Sequence, residues 1–388
     1  MTAKDVIKKD DVVIKFVGDS GDGMQLTGTL FSDTSALDGN DIATFPDSPA
    51  EIRAPHNTVA GVSGFQAHIG KKPYSSGDKA DVLVAMNPAS LKANLKWVKV
   101  GGIIIVDADT FEEGAIEKAG YSSNPLEDDS LSNYKLIKAP ITSFTIEAVK
   151  EIFTDRKAAL KCRNMFALGM IFFIFGKELD HTDAYLEKKF AKKPEVVQAN
   201  KSVIRAGYNF CENTDVMEYQ MQVETATMPA GKYRNITGNI ATAWGLLAAA
   251  EKAGLPLFLG SYPITPATDI LIELAKHKSL GARVFQAEDE IAGICSAIGA
   301  SFAGAMACTS TSGPGLSLKS EAIGLAVMTE LPLVIVDVQR GGPSTGLPTK
   351  TEQSDLVQAL FGRNGEAPCI VIAASSSANC FDWAFEAG

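Results

Sequence analysis

LFLGSYPITPATDILIEL, residues 257 to 274, decides how the second half of the chain is read. Its apolar opening, Leu257-Phe258-Leu259, has the character of a short buried strand. Its close, Ile270 to Leu274, has the periodicity of an amphipathic helix. Between them stand Tyr262, Pro263, Thr265, Pro266 and Thr268. Thr265 before Pro266 predicts a helix N-cap followed by a proline in the first turn, where its missing N–H is not needed. Such a joint aims backbone N–H groups and a hydroxyl out of the end of a strand. Ligands of open α/β sheets bind at strand ends, and helix N-termini suit carboxylates. By itself the stretch is also compatible with a well-capped turn.

Its neighbours repeat the strand–helix alternation. A helix is expected over Asn239 to Ala253, and strands at 256–260, 283–286, 305–309, 332–338 and 368–373. That order implies a parallel sheet buried on both faces. Upstream, Val12 to Val17 reads as a strand, GDSGDG (18–23) as a turn and Met24 to Leu37 as a helix. Strands at 81–86 and 102–107 enclose a helix from Pro88 to Lys99, a βαβ unit, and Leu136 to Ala139 adds a strand. Helical patterns then dominate at 165–175, 184–191 and 195–211. Residues 213–234 show no sustained period and read as an extended linker. The fold class is therefore α/β, with two open, mostly parallel sheets: a first domain over 10–212 and a second over 235–388. The last residues, Phe381 to Gly388, fall midway through an apparent helix, so the chain is expected to be a piece of a longer polypeptide.

Composition narrows the class. The 388 residues are 46% hydrophobic and 21% charged, ordinary for globular material. The opening MTAKDVIKKDDVV is charged throughout and is no signal peptide. The apolar run Ala167 to Gly176 is far shorter than the ~20 residues that span a bilayer. A soluble, cytoplasmic protein is expected. A net charge of −10 argues against nucleic acid as a partner. The six cysteines, Cys162, Cys211, Cys295, Cys308, Cys369 and Cys380, form no CxxC pair, and no metal or iron–sulfur site is expected on this chain.

Four further stretches carry candidate chemistry. GDSGDG could present N–H groups of Gly18, Gly21 and Gly23 to a phosphate or a nucleotide, although Asp19 and Asp22 would repel an anion. GDG also opens the diphosphate motif of thiamine enzymes, but the matching region, SPAEIR (48–53), lacks the asparagine that motif needs. EDEIAGICSAIGASFAG (288–304) begins with Glu288 and Glu290 and carries small residues at Ala292, Ala297, Gly299 and Ala300. On one helix those two carboxylates would differ by about 200°, so only one could face a cleft. TSTSGPGLSL (309–318) is another strand-to-helix joint. QRGGPSTGLPTKTEQSD (339–355) is a long loop after a strand, with Arg340 and Lys350. Loops of that kind are more often sites than connectors.

Taken together, YPITPAT, EDEIAGICSAIGAS, TSTSGPG and VDVQRGGPSTGLPT resemble the α subunit of 2-oxoacid:ferredoxin oxidoreductases, most closely the 2-oxoglutarate type. The leading GDSGDGMQ domain resembles the γ domain fused ahead of it in that subgroup; a further C-terminal domain usual in the family is absent from the sequence. The resemblance implies that 235–388 binds the pyrimidine half of thiamine diphosphate, and that the work is shared with a β subunit, as in an α2β2-type assembly. Glu290 would hydrogen-bond N1′ of the aminopyrimidine, with Glu288 its rival. Tyr262, Pro263, Thr311, Ser312 and Gly313 would line the cofactor. Thr265 and Arg340 would hold the substrate's carboxylate, and Lys350 a second one. The β subunit would supply Mg²⁺, the diphosphate motif and the iron–sulfur cluster. Coenzyme A would be co-substrate and ferredoxin the electron acceptor.

Two other readings compete. A nicotinamide-dependent dehydrogenase would use GDSGDG for the dinucleotide and an acidic residue about 20 residues on, for which Asp38 or Asp41 could be offered. A non-catalytic assembly subunit would lack the cofactor role altogether.

Overall fold

The computed structural model describes residues 5–49 and 55–388. Most of SPAEIR and the first four residues of the N-terminal stretch lie outside the described residues. The chain divides into two units, Met1–Lys232 and Tyr233–Gly388.

The first unit is built on a sheet of β2 (Asp11–Asp19), β3 (Asp41–Asp47), β4 (Val62–Gly70), β5 (Ala80–Ala85), β6 (Val98–Asp107) and β7 (Lys135–Ala139), in the order β3-β4-β2-β5-β6-β7. β2, β5, β6 and β7 run parallel; β4 is antiparallel to β2, and β3 to β4. β5 and the second half of β6 are near-continuous apolar runs because both faces are covered. Helices α1 (Met24–Leu37), α2 (Pro88–Asn94), α3 (Glu113–Lys118), α4 (Ile141–Val149) and α5 (Arg156–Leu160) follow in chain order. So do α6 (Arg163–Ile174), α7 (Asp180–Lys189) and α8 (Pro194–Asn213). From Asn164 to Ile174 every residue of α6 is buried, as expected of a helix apolar all round. It crosses α8 so closely that a methyl group on Gly169 would stand 2.0 Å from the Ile204 carbonyl oxygen.

The expected linker is only partly one. Within 213–234 the structure has β8 (Tyr219–Val223), paired in parallel with β1 (Asp5–Lys9). Asn40 Nδ2 donates to the carbonyls of Val223 and Glu224, and Ala226 N–H to that of Gly39. Backbone pairing, which leaves little trace in side-chain pattern, ties this segment to the first unit.

The second unit has a parallel sheet of β9 (Leu257–Ser261), β10 (Arg283–Gln286), β11 (Met306–Thr311) and β12 (Val334–Asp337), in the order β10-β9-β11-β12. Its helices are α9 (Gly238–Ala253), α10 (Thr268–Ala275), α11 (Glu290–Phe302), α12 (Gly313–Leu318), α13 (Ser320–Met328), α14 (Leu356–Phe361) and α15 (Ser377–Ala387). One core joins β9 and β11 to α9, α10 and α15; another lies under α11 and α13. The strand expected at 368–373 is absent. Ile370 is 93% exposed there, and an apolar β-branched run without cover or a paired neighbour has no reason to extend as a strand. Among the described residues no helix is long and apolar enough to cross a membrane.

Candidate active site

The four strands of the second unit end together. Ser261 of β9 pairs with Gln286 of β10, and Thr311 of β11 with Asp337 of β12. At that edge YPITP follows β9, AEDE follows β10, SGPG follows β11 and VQRGGP follows β12. The chain runs from β9 outward to β10 and then crosses to β11 on the other side. Such a switch point opens a crevice for ligands. There Ser261 Oγ donates to the Ser310 carbonyl at 2.6 Å, tying the two strand ends.

Glu290 begins α11. The preceding Asp289 is the cap, its Oδ1 accepting from Ala292 N–H at 2.7 Å. Glu288 therefore stands outside the helix, exposed, and the 200° relation expected between the two glutamates does not apply. Glu290 is half-buried against the loop after β11. A methyl on Gly315 would come 2.8 Å from Glu290 Cγ and 2.0 Å from Thr311 Oγ1, so only glycine leaves room for both. Thr311 and Ser312 are fully buried. Ser312 Oγ and, deeper in β11, Thr309 Oγ1 have no hydrogen-bond partner among the described residues. Unpaired buried hydroxyls are costly. Gly313 backs onto Asp355, whose Oδ1 would be 2.3 Å from an added methyl.

Thr265 and Arg340 also meet, although not as expected. α10 starts at Thr268 with Ala267 as its cap residue, so Thr265 is no N-cap. The Thr265–Pro266 peptide is cis, and the Ile264 carbonyl accepts from Thr268 N–H. The Thr265 carbonyl accepts instead from Arg340 Nη1 at 2.8 Å, while Arg340 Nη2 donates to the Thr345 carbonyl at 2.7 Å. Arg340 is only 6% exposed, and its Nε is buried without a partner among the described residues. The guanidinium thus braces two loops and keeps a donor in reserve. Lys350 is half-buried; its carbonyl accepts from Gly341 N–H, folding the long loop back on itself. Tyr262, at 37% exposure, and Pro263 lie on the open side of the joint.

Lys319 has no part in the sequence reading, since a single lysine between Leu318 and Ser320 gives no local signal. It is fully buried, and its Nζ donates to the Glu290 carbonyl at 2.8 Å.

In the first unit the GDSGDG loop spends its donors internally. Asp19 N–H goes to Asp22 Oδ2, Ser20 N–H to the Gly61 carbonyl and Asp22 N–H to the Asp19 carbonyl. Arg163 pairs with Asp22 at 2.6 Å. Gly18 packs on Asp22 and Gly23 on Asn164, whereas the space beside Gly21 is open. The dehydrogenase reading fails on topology. The strand after α1 is β3, an antiparallel edge strand, rather than a parallel neighbour of β2. Asp41 opens that strand, and Asp38 pairs with Lys177. Among the described residues no three His, Cys, Asp or Glu side chains gather as metal ligands would.

An α/β unit whose parallel strand ends carry a glutamate, a buried hydroxyl pair and a glycine cradle has the design of a thiamine diphosphate-binding domain. The comparisons agree. Residues 249–388 match the thiamine diphosphate-binding family of pyruvate flavodoxin/ferredoxin oxidoreductases, and residues 13–210 match the pyruvate ferredoxin/flavodoxin oxidoreductase family. The chain belongs to this family. It is 54% identical over 386 residues to subunit KorA of 2-oxoglutarate oxidoreductase from Mycobacterium tuberculosis, covering 99% of this chain and 59% of that one. It is 29% identical to the α subunit of a 2-oxoacid:ferredoxin oxidoreductase from Aeropyrum pernix, covering 98% and 62%. The fold matches 2-oxoglutarate:ferredoxin oxidoreductase from Magnetococcus marinus, solved with 2-oxoglutarate, coenzyme A and succinyl-CoA bound. That match has a TM-score of 0.81 and 32% identity, over 98% of this chain and 61% of the other. The chain thus spans about three fifths of the length of these relatives.

Proposed function

We propose that this chain is the γ- and pyrimidine-binding portion of a cytoplasmic 2-oxoacid:ferredoxin oxidoreductase. It would decarboxylate 2-oxoglutarate oxidatively to an acyl-CoA and pass the electrons to ferredoxin. The observation that carries this reading is the seating of Glu290 against Gly315 and Thr311, beside the unpaired Ser312 hydroxyl, at the switch point of the sheet. Glu290, Thr311, Ser312 and Gly313, with Tyr262 and Pro263, would hold the aminopyrimidine of thiamine diphosphate. When bound, that group supplies the electron sink for cleaving the bond between C1 and C2 of the 2-oxoacid. Glu290 holds a proton-exchanging carboxyl at the ring nitrogen. Thr265, fixed through its carbonyl by Arg340, faces the substrate, and the spare Arg340 Nε–H helps bind the C1 carboxylate. Lys350 takes the distal carboxylate. A β subunit supplies Mg²⁺, the diphosphate site and the iron–sulfur cluster, in an α2β2-type assembly. Coenzyme A contact falls to the first unit, with the open face of the GDSGDG loop at Gly21 as the candidate.

The full-length chain, assembled with its β subunit and supplied with thiamine diphosphate and coenzyme A, should reduce ferredoxin with 2-oxoglutarate. Losing one charge-assisted contact should make pyruvate at least about tenfold poorer in kcat/KM. Equal use of pyruvate would overturn the assignment of the distal carboxylate. Turnover by the chain without a β subunit would overturn the division of labour.

A further inference from the structure

Lys319 is the one lysine among the described residues with no exposed surface at all, and it belongs to the segment that carries the cofactor loop. Its backbone sits at the junction of α12 and α13, where its N–H closes the turn onto the Gly315 carbonyl at 3.0 Å. Its side chain runs inward to the first turn of α11 and donates to the Glu290 carbonyl at 2.8 Å. Glu290 is therefore gripped from two sides by one segment. Gly315 stands against its Cγ, and Lys319 holds its backbone. Burying an ammonium costs several kcal/mol, and an apolar residue of similar volume would often serve stability as well or better. A chain that keeps the charge has a use for it beyond packing. The groups whose charges act on the ammonium are Glu290, Asp289 and Cys295, at the start of α11 and on it. They pull its pKa up; burial outweighs them and lowers it to about 8.

We propose that Lys319 is a positioning residue for Glu290: its ammonium fixes the first turn of α11 to the cofactor loop and sets where the Glu290 carboxyl stands. The inference rests on the assignment of Glu290 as the group that meets the aminopyrimidine. It adds a residue that touches neither cofactor nor substrate and acts through the backbone of the one that does.

The test uses the assembled full-length complex and three variants. Lys319→Met keeps the stem and removes the charge. Lys319→Gln keeps a donor without the charge and serves if the first variant does not fold. Glu290→Gln is the reference. C2-proton exchange of bound thiamine diphosphate should slow roughly tenfold in Lys319→Met, an order less than the ~hundredfold loss expected when the acid–base group itself is removed. Cofactor affinity, read by titration, should fall no more than about a hundredfold, the upper effect of one hydrogen bond to a charged group. The melting temperature of the cofactor-free complex should be unchanged or higher, where a merely structural lysine would lower it. Unchanged exchange in both Lys319 variants, with Glu290→Gln slow, would overturn the positioning role and leave the Glu290 assignment standing. Unchanged exchange in Glu290→Gln would overturn the underlying assignment instead.

Discussion

Arg340 shows how far a residue type and its place in a loop can be read. The sequence predicts a guanidinium after a parallel strand, and the structure has it there. The sequence does not show that its fork is closed on the carbonyls of Thr265 and Thr345. Those contacts depend on how two loops, 75 positions apart, meet. The same holds for Lys319, whose burial depends on α11 packing over the loop after β11. Arg340→Ala removes the spare donor and unpins Thr265, and losing a charge-assisted contact costs about 1.5–3 kcal/mol. Substrate affinity should drop roughly ten- to hundredfold. Thiamine diphosphate affinity should stay nearly intact. Arg340→Lys should not rescue it, because a point charge cannot bridge two carbonyls as a planar fork does. If Arg340→Ala left substrate affinity unchanged and Lys350→Ala abolished it, the anchor would be Lys350.

At the scale of elements, legibility follows side-chain pattern rather than burial: β4 is buried almost throughout and β10 is mostly exposed. β2, β5, β6, β9 and β12 stand out because they are mainly apolar runs bounded by turn residues, whereas β10, Arg283–Gln286, is short and mostly exposed. β3 and β4 do not stand out. DIATFPD and VSGFQAHIG are broken by polar residues, and β3 carries Pro46, which an edge strand tolerates. The 368–373 run misleads for the opposite reason: PCIVIA has strand composition without a neighbour to pair with. The joint at 262–267 was correctly placed but wrongly detailed, since Thr-Pro suggests a capped helix start and α10 begins at Thr268. The alignment of the four joints at one edge was legible, because strand–helix alternation leaves a parallel sheet no other arrangement.

The molecule as a whole should show two ionisable groups of the second unit, the buried Lys319 and the half-buried Asp337, pulling stability in different pH windows. Burial first, and then the carboxylate of Asp355, raise Asp337 from 3.8 to about 7. The folded unit holds that proton where the unfolded chain releases it. Its contribution is full below about pH 4 and is lost as pH rises through about 7. Burial lowers Lys319 from 10.5 to about 8. Its contribution is full above about pH 10.5 and is lost as pH falls through about 8. Melting temperatures measured against pH should therefore differ between wild type and Asp337→Asn chiefly from about pH 4 to 7, the wild type losing more on the way up. Parallel curves across that window would contradict the raised Asp337. The central claim, that Glu290 is the proton-exchanging group of a thiamine diphosphate site, is tested on the chain assembled with the proposed β subunit. The direct measurement is C2-proton exchange of the bound cofactor in wild type, Glu290→Gln and Glu288→Gln. Glu290→Gln should be slower by at least about a hundredfold, the scale of a lost acid–base group, with Glu288→Gln near wild type. Unchanged exchange in Glu290→Gln, with Glu288→Gln slow, would contradict it and move the role to Glu288.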